Sequence, residues 1–109
     1  MCKETLKALL KQKFGCPVSE VYNAKDRQLN IYIHLDSLGN DVDVNVEGKK
    51  LESFFRTPSM IAQINSTLKE PGIQKLVIGV TKKITPEINP ITWSPRQGRD
   101  YKEYFFESS

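Results

Sequence analysis

The chain contains one histidine, so any Ser-His-Asp or Cys-His arrangement must be built around His34. The carboxylates that a short turn would return to it are Asp41 and Asp43. If residues 29–35 and 41–47 close a hairpin around Leu38-Gly39, His34 faces Asp43 or Asp41, and Tyr32 faces Asn45. A carboxylate beside the ring stabilises the imidazolium, as a general acid or base requires. Ser37 lies on the same turn and is badly placed to be activated by that ring, and no Gly-x-Ser-x-Gly elbow is present. The ordinary reading is a histidine on the solvated polar face of a strand, with no catalytic residue assigned.

The same hairpin carries a row of oxygen ligands. Asp41, Asp43, Asn45, Glu47 and Glu52 occupy positions 1, 3, 5, 7 and 12 of a calcium-loop pattern. Position 6, where the sharp turn needs glycine, is Val46, and Val42 and Val44 continue a strand period. A strand sets such side chains in a line and does not wrap them around an ion, so no metal site is expected. Cys2 and Cys16 are too few for a zinc site, which needs four ligands. They read as free thiols of a reducing compartment, Cys16 as a small buried apolar residue. Without a phosphate loop, Gly-x-Gly-x-x-Gly, Cys-x-x-Cys or His-Glu-x-x-His, no cofactor is expected.

A third group is basic and aromatic: Lys82, Lys83, Trp93, Arg96, Arg99, Tyr101 and Lys102. Arginine and lysine neutralise phosphates and aromatic rings stack on bases, so the mixture suits single-stranded nucleic acid. The chain as a whole gives this limited support. Its 109 residues carry 16 Lys+Arg against 13 Asp+Glu, a net charge of +3. The acids concentrate in residues 15–47 and the bases in both flanks, with no block of five like charges.

These residues must be positioned by recognisable elements. Leu6, Leu9, Leu10 and Phe14 are at helical spacing, and Gly15 and Pro17 stop that helix. Residues 18–24 predict a weak strand and Lys25-Asp26-Arg27 a turn. Leu29, Ile31, Ile33 and Leu35 alternate with Asn30, Tyr32 and His34, the clearest strand in the chain. Val42, Val44 and Val46 alternate with acids and predict a second strand over 41–47. Thr57 is placed as an N-cap with Pro58 at the first helical position. Ile61, Ile64 and Leu68 then line one face, with Met60 at its edge, until Pro71-Gly72. Residues 73–80 predict a strand with Leu76, Ile78 and Val80 inward, and Ile91-Thr92-Trp93 and residues 101–106 predict strand pieces around a turn.

The order predicts a single α+β domain over 1–109. It is a two-layer sandwich with a mostly antiparallel sheet of about five strands and two helices, readable as a diverged αββ repeat. The stretch from Ile61 through Leu68 to Gly72-Ile73-Gln74-Lys75-Leu76-Val77-Ile78, with Ile91-Thr92-Trp93 and Tyr104-Phe105-Phe106-Glu107, resembles small αββ-repeat modules of photosynthetic bacteria. The resemblance implies an αββαββ-like sheet and no known activity. The chain departs from that pattern at residues 36–47 and 82–90.

A folded domain without a catalytic constellation reads as a non-catalytic protein-interaction or adaptor module. Its partner is expected to be another protein. The candidate contacts are Tyr101, Tyr104 and Phe106, on a terminal strand open to pairing or to a homodimer. The alternative is a weak nucleic-acid-binding domain using residues 82–102. The second alternative is a small enzyme using His34 with Asp41 or Asp43. No apolar run approaches the roughly 20 residues that span a bilayer and no signal peptide is visible, so a cytoplasmic protein without membrane contact is expected.

Overall fold

In the computed structural model, residues 2–35, 42–82 and 101–108 are described. Strands β1 (Val18–Asn23) and β2 (Gln28–His34) form an antiparallel hairpin, from Val18 opposite Ile33 to Asn23 opposite Gln28. Asn23 shapes its turn. The Asn23 Oδ1 accepts from the Lys25 and Asp26 amides at 3.1 and 3.4 Å, and Nδ2 donates to Asp26 at 3.0 Å. Helix α1 (Cys2–Phe14) precedes the hairpin and buries Leu6, Leu10 and Phe14, one residue per turn. Gly15 ends it in the left-handed region at φ 65°, its amide donating to Lys11 O at 2.8 Å.

Residues 44–47, expected to be strand, belong instead to helix α2 (Val44–Phe55). Asp43 is the N-cap: its carboxylate accepts from the Asn45 amide at 2.9 Å. Val44, Gly48 and Leu51 form the buried stripe at i, i+4 and i+7, while Val46 is 57% exposed. The valine alternation was therefore a false strand period, overridden by a cap and a helical stripe whose middle member is glycine. Helix α3 (Pro58–Leu68) starts as expected, with Thr57 Oγ1 accepting from the Met60 amide and Pro58 in the first turn. Its buried stripe is Met60, Ile64 and Thr67, and Ile61 is 47% exposed. The helix is rotated from the expected face because Thr67 can be buried, its hydroxyl donating to Gln63 O at 2.8 Å.

The strand β3 (Lys75–Thr81) and strand β4 (Tyr101–Glu107) complete a four-stranded sheet in the order β1-β2-β3-β4. The β2–β3 pair is parallel, Leu29 opposite Leu76 and Ile33 opposite Val80, and the β3–β4 pair is antiparallel. Among the described residues the sheet thus has four strands, not five, and is mixed; the helices number three, not two. The parallel pair follows from α2 and α3, which together supply the long crossover that two parallel strands require. The second half also places two helices where the first has one, a departure from a simple αββ repeat. Ile91-Thr92-Trp93 lies outside the described residues.

The core lies between the helices and one face of the sheet. Leu29, Ile31 and Ile33 of β2 and Leu76, Ile78 and Val80 of β3 meet Leu6, Leu10, Leu51, Met60 and Ile64. Cys16 is buried there, its thiol donating to Phe14 O at 3.2 Å. No helix among the described residues is long and apolar enough to cross a membrane.

Candidate functional site

The strand register sorts the remaining side chains onto the second face of the sheet. Ser19, Tyr32, Gly79 and Glu103 form one row across it, and His34, Thr81 and Tyr101 the next. Sequence alternation reads Asn30, Tyr32 and His34 as the solvated side of β2, yet all three are buried. The reason is visible in their bonding. The Ser19 hydroxyl and the His34 Nε2 share a hydrogen bond of 2.7 Å, and Gln28 donates to Asn30 Oδ1 at 2.8 Å. Tyr32 and Tyr101 meet ring to ring at 6.2 Å, and Tyr101 donates to Glu103 at 2.6 Å. The Tyr101 ring lies over Gly79, where an added Cβ would stand 2.6 Å from the phenol oxygen.

Burial, then the Glu103 charge, pushes the Tyr32 phenol up to about 12, the neighbouring Asn30 amide opposing. Burial raises Tyr101 further, helped by the hydrogen bond to Glu103 and by that carboxylate's charge. These phenols hold their protons and are ill suited to serve as bases. Two buried polar atoms on this face, Asn30 Nδ2 and the Tyr32 hydroxyl, find no hydrogen-bond partner of good geometry among the described residues.

His34 meets Ser19, while residues 44–47 are helical and Asp43 is committed to capping. A hydroxyl bonded to an imidazole is half of a nucleophilic arrangement. It is equally what a sheet produces when serine and histidine fall on diagonal positions of paired strands. Asp41 lies outside the described residues, as do Lys83, Trp93, Arg96 and Arg99. Lys82 follows the end of β3, and Lys102 lies on the helix side of β4 with Nζ 5.9 Å from the Tyr104 ring centroid. No group of three His, Cys, Asp or Glu residues is placed to hold a metal among the described residues.

The outer strand β4 is the second feature. Tyr104 and Phe106 turn toward α2, where both rings meet Phe55 edge-on at 5.5 and 5.0 Å. The Tyr104 hydroxyl donates to Gly48 O at 2.9 Å, and an added Cβ at Gly48 would stand 2.9 Å from that hydroxyl. The glycine in the buried stripe of α2 is what lets helix and strand come so close. Burial and the Glu52 carboxylate raise the Tyr104 phenol to about 12.

Backbone phase decides which groups β4 presents outward. Lys75 N donates to Arg27 O at 3.1 Å, so odd-numbered residues of β3 turn toward β2 and even-numbered ones toward β4. Ser108 N donating to Gln74 O at 2.9 Å gives the same phase from the other strand. Lys102, Tyr104 and Phe106 bond to β3, and the N–H and C=O groups of Glu103, Phe105 and Glu107 point outward. Among the described residues β4 pairs with β3 alone, and Phe105 is 62% exposed.

The aromatic residues expected to meet a partner, Tyr101, Tyr104 and Phe106, thus turn inward to varying degrees, Tyr101 buried and the other two partly so. Phe105 was hidden from sequence reading inside a run of aromatics. The signal was parity: once Tyr104 and Phe106 share the core face, Phe105 must take the other. Comparison with protein-family models, with characterised proteins and with solved structures gives no match.

Proposed function

We propose that this domain is a non-catalytic protein-interaction module that receives an extended segment of its partner along the outer side of β4. The single observation that supports this reading is the outward row of backbone groups at Glu103, Phe105 and Glu107, with Phe105 exposed among them. Strand addition uses such a row: main-chain hydrogen bonds supply affinity and alternate side chains supply selectivity. The anchorage of Tyr104 and Phe106 on Phe55 and Gly48 gives the edge a rigid backing, which lowers the ordering cost of binding.

The test is titration of isotope-labelled protein with short extended peptides while backbone amides are followed by NMR. The reading expects shifts at Glu103, Phe105 and Glu107 with β1 unchanged. Phe105→Pro, which removes an outward N–H that β3 does not use, is expected to abolish them while the circular dichroism stays native. Peptides that bind and shift other amides, leaving β4 still, would overturn it.

A further inference from the structure

The side chains beside the outward backbone row specify the partner more closely. On the second face of the sheet β4 carries Glu103, Phe105 and Glu107 at strand spacing, an acid, an exposed ring and an acid. On the helix face it carries Lys102, Tyr104 and Phe106, the two rings packed on Phe55. A strand laid against β4 places its own side chains directly opposite these, alternating between the two faces.

We infer that the segment taken up at β4 is an extended strand with basic, apolar and basic residues at alternate positions, set opposite Glu103, Phe105 and Glu107. The inference rests on the reading of β4 as the docking edge. Charge complementarity carries it: opposite charges in cross-strand register stabilise a pair and like charges directly opposite destabilise it.

The same rule turns away two other occupants. A second copy of β4 running antiparallel, centred on Phe105, sets Glu103 against the partner's Glu107. Centred on Glu103, it sets that carboxylate against its own counterpart. With Glu103 opposite Phe105, no base meets an acid on this face, because Lys102 lies on the other. A nucleic-acid backbone would meet two carboxylates on this row.

The experiment compares three capped peptides of equal length against the full chain by fluorescence anisotropy, each in low and high salt. One alternates Lys, Val and Lys with threonines between. The second replaces both lysines by glutamates. The third keeps the first composition but moves the lysines to the opposite strand face. The first peptide should bind about tenfold tighter than the second at low salt, with the advantage shrinking as salt rises. The third should lose most of that advantage.

Charge reversal with E103K and E107K together should invert the preference toward the glutamate peptide. Glu103 also accepts from Tyr101, so E107K alone provides a second variant outside that contact, expected to reduce the lysine preference several-fold. Equal affinity for all three peptides, with β4 amides still shifting, would overturn this inference and leave the docking edge standing. Absence of β4 shifts with any peptide would overturn both. Concentration-dependent dimerisation that E107K strengthens would instead assign the edge to a second copy and also refute the inference.

Discussion

The two edges of the sheet are built in opposite ways. At β1 the outward-facing backbone belongs to Val18, Glu20 and Tyr22, because Pro17 O accepts from the His34 amide at 3.0 Å and fixes the phase. Two of these three side chains are fastened across the edge. Glu20 is held by Lys7 at 2.9 Å and Lys3 at 3.3 Å, which lay α1 along the strand. The Tyr22 hydroxyl donates to Gly72 O on the turn before β3. At β4 the acids of the second face flank an exposed ring, Glu103 accepting from Tyr101, and among the described residues helix support comes from α2 behind the strand. A charge clamp and an overlying helix are the usual means of keeping a sheet edge from pairing. Side chains tie β1 to α1 and to the turn before β3, while among the described residues β4 pairs with β3 alone, and the proposed docking uses that second edge.

The largest way to break this contrast is to remove the support behind β4. Leu51→Ala empties a fully buried site on α2 and should lower unfolding free energy by about 3 kcal/mol in a urea titration. The matched change Val46→Ala on the exposed face of the same helix should stay within about 0.5 kcal/mol. Equal costs would contradict the helical stripe that carries β4.

Extremes of pH separate the edges next. Tyr32, Tyr101 and Tyr104 beneath and behind β4 all ionise above the ordinary 10.0 of a phenol, Tyr32 and Tyr104 near 12. The unfolded chain gives up these protons first, so their contribution is complete below pH 10 and is lost as pH rises toward 12 and beyond. Alkaline unfolding should track phenol ionisation in the ultraviolet, and a chain that stays equally stable from pH 9 to 12 would contradict this.

In acid the closed edge weakens instead. The Lys7 hydrogen bond, then that of Lys3, together with both ammonium charges, holds the Glu20 carboxyl below its ordinary 4.5, against the pull of desolvation. That contribution is present above 4.5 and fades as pH falls through the lower folded value. For a partly exposed cluster it is small, about 0.5 kcal/mol. Glu20→Val should therefore cost little stability and yet promote edge-to-edge association at β1, read by sedimentation velocity as a concentration-dependent species that the parent chain lacks.

Much of this layout is legible in the residues themselves. The alternation of β2 over Leu29–Leu35, the Thr57-Pro58 helix start and a strand over 101–106, observed as Tyr101–Glu107, announce themselves by residue type, period and cap. What stayed hidden had specific physical reasons. Helix α2 was masked because Val42, Val44 and Val46 mimic a strand, and because Gly48 occupies the centre of its buried stripe with no apolar side chain to register. The parallel pairing of β2 and β3 follows only once α2 and α3 are both present as a crossover. The second face of the sheet reads as polar and therefore wet, but it is buried, with Ser19 bonded to His34, Gln28 to Asn30 and Tyr101 to Glu103. Which of the β4 aromatics face out was not legible, since that depends on register against β3: Tyr101, Tyr104 and Phe106 turn inward and Phe105 is exposed.

Amide hydrogen exchange along β4, resolved residue by residue by NMR in the free protein, tests the open edge most directly. Alternation is the expected result, with slow exchange at Lys102, Tyr104 and Phe106, whose amides bond to β3, and fast exchange at Glu103, Phe105 and Glu107. Uniform protection along the strand would mean that its outer side is already covered, and the account of β4 as a docking edge would fail.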